Sequence, residues 1–243
     1  MRRLPTLLFL SMLALPSVVM AQGEATAKDY PQLSGDASLG WISTSGNTDS
    51  SSANGEFKAE LDYAVWRHQL DISGYRTAED GMTTGERYAG SVQSDYKFSA
   101  RSYLFVNANY ARDHFGPYDR RAAITGGLGR RFIDTDTLTL ALEAGAGQRM
   151  LEPAGTNERN REAIGRFHGN LKWAFSSSAR FIQDVQVETG SSNTYTDSTS
   201  SLKSALVGAL SLRISYEVQH NSDVPDGVRN TDTTTTVALD YGF

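Results

Sequence analysis

From about residue 34 to the C-terminus, apolar and polar side chains alternate one by one along the chain. In the clearest segment, residues 53–65, one face carries Ala53, Phe57 and Leu61, whereas the other carries Glu56 and Lys58. A period of two residues is typical of a β-strand with one apolar face. This segment is longer than an average strand of a soluble protein. The pattern therefore predicts an all-β protein with long strands.

The same alternation recurs along the whole chain. Further segments of this kind lie around 36–42, 69–74, 87–98, 104–110, 124–132, 138–147, 166–175, 181–188, 201–208, 212–220 and 235–243. About twelve strands are thus expected, an even number, as in bacterial outer-membrane barrels.

The links between these segments alternate in length. Odd-numbered links are expected to be long: Ser43–Ser50, Thr77–Glu86, Asp113–Arg121, Met150–Ala163, Thr189–Thr199 and Asn221–Asn230. Even-numbered links are expected to be tight: Trp66–Arg67, Ser99–Ser102, Asp134–Asp136, Ser176–Ser178 and Ala209–Leu210. This layout predicts a transmembrane antiparallel up-and-down β-barrel, with both termini on the periplasmic side, where the short links lie.

The N-terminus has the pattern of a secretory signal. Arg2 and Arg3 precede an apolar run over 4–20, and Ala21 ends a cleavage-like sequence. A transmembrane anchor is disfavoured because the run is short and contains two prolines. The predicted organisation is a signal peptide at 1–21, a short periplasmic lead at 22–33 and an outer-membrane barrel at 34–243.

Charge and cysteine content narrow the possible partners. The formal net charge is −5, and loss of Arg2 and Arg3 with the signal gives −5 − 2 = −7. A mildly acidic exported domain is a poor nucleic-acid binder, so no nucleic-acid partner is expected. The chain has no cysteine, and its stability must come from extensive backbone pairing instead of disulfides.

Aromatic residues near the segment ends fall on the apolar face, as in the interfacial girdles of membrane barrels. They are Trp41, Tyr63, Tyr88, Phe98, Tyr110, Phe132, Trp173, Phe175, Phe181 and Tyr241.

Charged residues fall mostly on the other face, which a barrel would turn towards its lumen. The acids are Glu56, Glu60, Asp62, Asp71, Asp95, Glu143, Asp184, Glu188, Glu217 and Asp240, and the bases are Lys58, Arg87, Lys97, Arg131, Arg149, Arg166, Lys172, Lys203 and Arg213. Because the two signs nearly balance, we expect them to pair across the lumen without strong selectivity for one ion sign. A barrel of this size is mostly filled by side chains or holds a narrow channel.

Two stretches at the ends of the barrel resemble a known bacterial family. The first is Trp41-Ile42-Ser43-Thr44-Ser45-Gly46-Asn47-Thr48-Asp49-Ser50; the second comprises Asn221-Ser222-Asp223-Val224-Pro225, Thr231-Asp232-Thr233 and the closing Tyr241-Gly242-Phe243. Over roughly 34–243 the chain is similar to the salt-induced outer membrane protein family (domain of unknown function 481). The resemblance implies an outer-membrane location in Gram-negative bacteria and, through the family's label, a link to salt stress. It implies no activity with assigned residues, and an aromatic such as tyrosine often stands in the family where this chain has His220.

The terminal Phe243 suggests a partner. A last strand with alternating apolar residues and a C-terminal aromatic resembles the signal that hands outer-membrane proteins to the barrel-assembly machinery. We therefore expect that machinery, through Phe243, and the outer-membrane lipids to be partners of this chain.

Candidate chemistry is sparse. His220 and Ser222 have a spacing similar to the His-x-Ser of outer-membrane phospholipases, in which histidine takes the serine proton; a turn at Asn221–Pro225 is the simpler explanation. His168 is expected to form hydrogen bonds inside the barrel, because no second His or Cys lies at ligand spacing. The run Gly126-Gly127-Leu128-Gly129 predicts a close-packed or bent strand. No catalytic, cofactor-binding or metal-binding residue is assigned, and no cofactor is expected.

Three functions remain open at this point. The first is a non-enzymatic outer-membrane barrel of the cell envelope, in the form of a narrow pore linked to salt or osmotic stress. The second is a lipid-active barrel enzyme that uses His220 and Ser222. The third is a surface protein that binds through its polar outer loops, such as Met150–Ala163.

Overall fold

The computed structural model describes residues 31–44, 50–156, 158–225 and 227–243. Within these ranges the chain forms twelve antiparallel strands: β1 (Gln32–Thr44), β2 (Ser50–Asp62), β3 (Trp66–Glu79), β4 (Met82–Lys97), β5 (Ser102–Asp113), β6 (Tyr118–Asp134), β7 (Leu138–Pro153), β8 (Asn160–Ala174), β9 (Ala179–Thr189), β10 (Thr194–Val207), β11 (Leu210–Asn221) and β12 (Thr231–Gly242). The predicted all-β class and strand number are confirmed. No helix in the described part of the chain is long and apolar enough to cross a membrane.

The sheet closes into a barrel because β12 pairs with β1, while every other strand pairs with its neighbours in sequence. At this seam the backbone groups of Gly35 and Phe243 exchange two hydrogen bonds, of 2.9 and 3.0 Å. The Phe243 ring stacks on Phe57 of β2 with ring centroids 6.0 Å apart. Closure removes the unpaired strand edges that an open sheet would expose.

The two faces of the barrel wall differ sharply in chemistry. Large apolar side chains such as Leu39, Ile72 and Phe167 are more than half exposed on the outer surface. The largest fully buried side chains are charged and lie inside: Arg149, Glu188, Asp95 and Asp240. This inversion of a soluble protein is the arrangement of a transmembrane barrel, whose apolar band faces lipid.

The predicted aromatic residues lie largely as expected. Nine of the ten are exposed: Trp41, Tyr63, Tyr88, Phe98, Tyr110, Phe132, Trp173, Phe175 and Tyr241. The tenth, Phe181, is half-buried and lies opposite Trp173 on the neighbouring strand.

The long link predicted at 77–86 is wrong. Strand β3 continues to Glu79, and β4 begins at Met82 after a two-residue turn. The turn residues Asp80 and Gly81 have φ angles of 48° and 78°. Positive φ at both central residues is the geometry of the tight hairpin turn that fits the twist of antiparallel strands. The polar residues on either side are therefore paired strand and not loop.

The other long links are mostly shorter than predicted, for the same reason. The strands extend until the connections cover only 114–117, 154–159 and 190–193, whereas 222–230 stays long as predicted. The five tight links lie at 63–65, 98–101, 135–137, 175–178 and 208–209.

Two predicted boundaries differ from the structure at the end of the barrel that carries the tight links and the chain termini. The turn predicted at Trp66–Arg67 lies instead at 63–65, which places Arg67 inside β3. Strand β1 begins at Gln32, within the predicted lead of 22–33. The predicted signal peptide and residues 45–49 of the first family stretch lie outside the described residues.

We predict that Gly81→Ala lowers the free energy of unfolding by about 1 kcal/mol, because alanine resists the positive φ that Gly81 adopts. The measurement is denaturant unfolding of protein refolded in detergent. Gly90→Ala is the matched control: the added Cβ would lie 3.6 Å from its nearest neighbour, the carbonyl oxygen of Asp71, which is an ordinary contact. Equal stability of the two variants would contradict the assigned turn.

Candidate functional site in the barrel lumen

Glu143 of β7 is the centre of a hydrogen-bonded layer that crosses part of the lumen. Its carboxylate accepts hydrogen bonds from the Tyr103 hydroxyl at 2.9 Å, Gln93 Nε2 at 2.8 Å and Arg166 Nη1 at 2.7 Å. His168 Nδ1 lies 3.3 Å from the same group. These partners come from β4, β5 and β8, and Glu143 therefore ties four strands together.

The layer continues to both sides of Glu143. On one side, Gln93 Nε2 also donates to Asp95 Oδ1 at 3.0 Å, and Arg67 binds Asp95 Oδ2 at 2.8 and 2.5 Å. On the other side, His168 Nε2 lies 2.9 Å from Asp184 Oδ2. The chain of contacts thus runs from β3 to β9. The hydrogen bonds predicted for His168 inside the barrel are confirmed.

Two aromatic rings fill the space beside this layer. The Arg67 guanidinium lies over the Tyr103 ring and that of Arg166 over Phe105, each 5.0 Å from the ring centroid. The rings fit because the facing wall lacks side chains: a Cβ on Gly129 would lie 2.2 Å from the Tyr103 ring. The glycine-rich run of β6 is therefore a close-packed strand, as the sequence indicated.

A second buried charge cluster surrounds Arg149, nearer the end of the barrel that is opposite to the chain termini. Arg149 is fully buried, and its Nη2 lies 2.7 Å from Glu162 Oε1 and 2.6 Å from the Asn193 carbonyl oxygen. Its Nη1 lies 3.2 Å from the Glu188 carbonyl and 3.7 Å from the Glu188 carboxylate. A buried ion of this kind stabilises the fold only when its partners remain in place.

Two further contacts cross the lumen near the long links. Arg87 Nη1 of β4 reaches Glu217 Oε1 of β11 at 3.3 Å, and the Arg121 guanidinium of β6 lies 3.3 Å from the ring centroid of Tyr195 on β10. All of these except Glu217 line a small pocket. The two contacts narrow the lumen at this level.

On the part of the wall that runs from β10 across the β12–β1 seam to β2, charged side chains form a chain of ion pairs. Lys203 binds Asp36 and lies 3.2 Å from Asp240, and Arg213 lies 3.2 Å from Asp240 and also binds Glu56. The same carboxylate of Asp240 thus serves two cations. The predicted pairing of opposite charges inside the lumen is confirmed. Arg87–Glu217 crosses the lumen, whereas the pairs described here join strands at most three apart and those around Glu143 join neighbouring strands.

One wall of the lumen remains open to water. The side chains of Lys58 on β2 and Asp71 on β3 point inwards yet are 48% and 38% exposed. Lys58 Nζ lies 2.7 Å from Glu56 and 3.3 Å from Asp71. Because Glu143 and Arg166 in the layer, and Arg149 and Glu188 in the second cluster, are almost completely buried, the lumen has a dry wall and a wet one.

The lumen residues that the sequence missed include Arg67, Tyr103 and Arg121. Alternate residues of a strand face the same side, so positions of the same parity, odd or even, share a face. Arg67 and Arg121 were assigned to links, although each has the parity of the lumen-facing positions beside it on β3 and β6. Tyr103 has the parity of Asn107, which was assigned to the polar face, and it is only 3% exposed. Strict use of parity would have found all three.

The structure does not bring His220 and Ser222 together. His220 is exposed on the outer surface, and its Nδ1 contacts Thr231 Oγ1 at 2.9 Å. Ser222 lies in the link after β11, where its hydroxyl accepts a hydrogen bond from Thr194 N at 2.8 Å and donates to Asn193 Oδ1 at 3.3 Å. Among the described residues, no group of three acidic or histidine side chains could hold a metal ion.

Comparisons with known proteins agree with this architecture. The family described as "Protein of unknown function, DUF481" matches residues 37–243. An "Uncharacterized protein YdiY" of Escherichia coli (strain K12) is 28% identical, over 86% of this chain and 82% of that protein. The outer membrane channel COG4313 from Pseudomonas putida F1 superimposes with a TM-score of 0.51 at 9% identity, over 92% of this chain and 100% of that chain. The KdgM porin in complex with disordered oligogalacturonate gives a TM-score of 0.46 at 14% identity, over 86% of this chain and 99% of that chain.

The apolar outer band, the closed twelve-stranded wall and the charged lumen define an outer-membrane β-barrel. The chain belongs to the DUF481 family, since the match covers nearly all of the barrel. The predicted family and the outer-membrane location are thereby confirmed.

We predict that Glu143→Ala lowers the free energy of unfolding by about 3 kcal/mol, because it leaves Arg166 and its neighbours buried without their anion. Glu158→Ala is the control, since Glu158 is exposed in the 154–159 link. Both variants should be unfolded with denaturant from the refolded state in detergent. A Glu143→Ala barrel as stable as the control would contradict the central role of this carboxylate.

Proposed function

We propose that the protein is a non-enzymatic outer-membrane barrel whose lumen holds a narrow, charge-lined pore. The observation that carries the proposal is the wet wall formed by Lys58 and Asp71. Charged side chains that line a lumen and remain accessible to water offer a path to small hydrated solutes. A barrel that served only as a scaffold would need no such wall.

The dry wall limits the size of the path. The layer around Glu143 and the cluster around Arg149 occupy one side of the lumen, and the Arg87–Glu217 contact spans it near the long links. The pore is therefore a groove along one wall, suited to ions and small solutes. Use of this pore under salt or osmotic stress, and delivery of the chain through Phe243 to the barrel-assembly machinery, belong to the same proposal.

The lipid-active alternative finds less support. Catalysis by a His–Ser pair needs the serine hydroxyl within hydrogen-bond reach of the imidazole, whereas Ser222 bonds to Asn193 and Thr194, and His220 to Thr231.

The test is a planar-bilayer recording of the purified, refolded protein. We predict small, discrete conductance steps. A barrel that is shown to be folded by its heat-modifiable gel shift but gives no steps above background would overturn the pore.

We predict that Arg87→Ala combined with Glu217→Ala gives a larger single-channel conductance, because both ends of a contact across the lumen are removed together and no unpaired charge is left. The matched control is Arg76→Ala with Glu86→Ala. That pair, 3.9 Å apart, also joins an arginine to a glutamate, but it lies on the outer surface of β3 and β4. Unchanged conductance in the Arg87/Glu217 variant would show that this contact does not limit the path.

A further inference from the structure

Two arginines face each other on the outer surface of the barrel. Arg112 of β5 and Arg120 of β6 are direct partners in the strand register. Both have the parity of exposed, outward-facing residues such as Tyr110 and Ile124. Like charges directly opposite each other on neighbouring strands are destabilising. An anion between the two guanidinium groups would remove this cost.

Arg112 has no acidic partner among the described residues. Its Nε is buried without a hydrogen-bond partner. Arg120 is only partly compensated: its Nη1 lies 3.4 Å from Glu152 Oε1, and its Nε lies 3.7 Å from Asp119 Oδ2. Arg159 Nε approaches the same carboxylate of Glu152 at 3.2 Å. Positive charge therefore exceeds the negative charge in contact with it at this position.

Further outward-facing arginines lie on both sides of the pair. Arg76 on β3, which lies 3.9 Å from Glu86, and Arg161 on β8 are exposed and point outwards, by parity with Ile72 and Phe167. Together with Arg112 and Arg120 they form what we call the arginine arc, which follows the outer surface from β3 to β8 near the long links.

The arginine arc lies at the depth of the lipid headgroups. Tyr88 is the register partner of Arg112 on β4, and Tyr110 lies two residues from Arg112 on the membrane side. Both tyrosines are about half exposed on the outer surface. Tyrosine is enriched at the interface between membrane and water. The longest described links, 154–159 and 222–230, lie at this end of the barrel, as the extracellular loops of such barrels do.

We propose that the arginine arc binds a phosphorylated lipid headgroup of the outer leaflet, with one phosphate held between Arg112 and Arg120. Guanidinium groups match phosphate oxygens in a planar, bidentate geometry, and such charge-assisted hydrogen bonds are strong. The phosphorylated glucosamine headgroup of lipopolysaccharide presents this chemistry in the outer leaflet. The inference is independent of whether the lumen conducts.

The test is native mass spectrometry of refolded protein in detergent, titrated with diphosphorylated lipid A. We expect the wild type to retain the lipid and Arg112→Gln with Arg120→Gln to bind it about tenfold more weakly, as expected for lost hydrogen bonds to a charged group. Arg130→Gln is the matched control, because Arg130 is also an exposed arginine on the outward face of β6, at its opposite end. Its affinity should equal that of the wild type.

Separate arms identify the source of the phosphate. Dephosphorylated lipid A should bind the wild type as weakly as phosphorylated lipid A binds the double variant. Displacement of lipid A by millimolar inorganic phosphate would indicate a site for the free ion and overturn the lipid assignment. Equal affinity of the double variant and the wild type would overturn the site itself. The heat-modifiable gel shift checks folding; if the double variant does not fold, Arg112→Gln alone carries the test, with weaker lipid A binding than the wild type expected.

Discussion

The pairing of β12 with β1 is the constraint on which the other features depend. The hydrocarbon core of a membrane offers no water to unpaired backbone groups, so a sheet can span it only when closed. The two hydrogen bonds between Gly35 and Phe243 complete that closure at one end of the seam. Once the wall is closed, alternate side chains must point into an enclosed space, and the chain has to find partners there for its charged groups.

Inside the lumen, the charged side chains pair with one another in networks in which one carboxylate contacts several donors. Glu143 serves several donors, and Asp240 serves both Lys203 and Arg213. Guanidinium groups also lie over aromatic rings, which favours cations in a site of low polarity. Missing side chains contribute as well, because Tyr103 occupies the space that Gly129 leaves. Strand pairing and lumen chemistry thus stabilise the same wall.

Much of this architecture could be predicted from the sequence, because the period of two fixes which residues face lipid and which face the lumen. The ends of the strands could not. The segment 77–86 is rich in polar residues and turn formers, yet it forms paired strand around Asp80-Gly81, since an outer strand extension is polar on both faces. The misplaced turn at Trp66–Arg67 likewise concealed Arg67.

Partners across the lumen were also beyond the reach of the sequence. Arg87 and Glu217 are 130 positions apart, and their contact depends on the number of strands and on the stagger accumulated around the barrel. Parity could place both in the lumen, but only the closed wall brings them to the same height. The position of the arginine arc is a similar case, because Arg112 and Arg120 are aligned only by the register of β5 and β6.

The division of the lumen into a dry wall and a wet one separates two kinds of evolutionary change. Substitutions around Glu143 or Arg149 disturb partners on several strands at once, and selection for folding should hold these positions nearly fixed. Lys58 and Asp71 contact water as well as protein, so their charges can change at little cost to the barrel. A family built on this plan can vary the charge of its lumen while it keeps one scaffold.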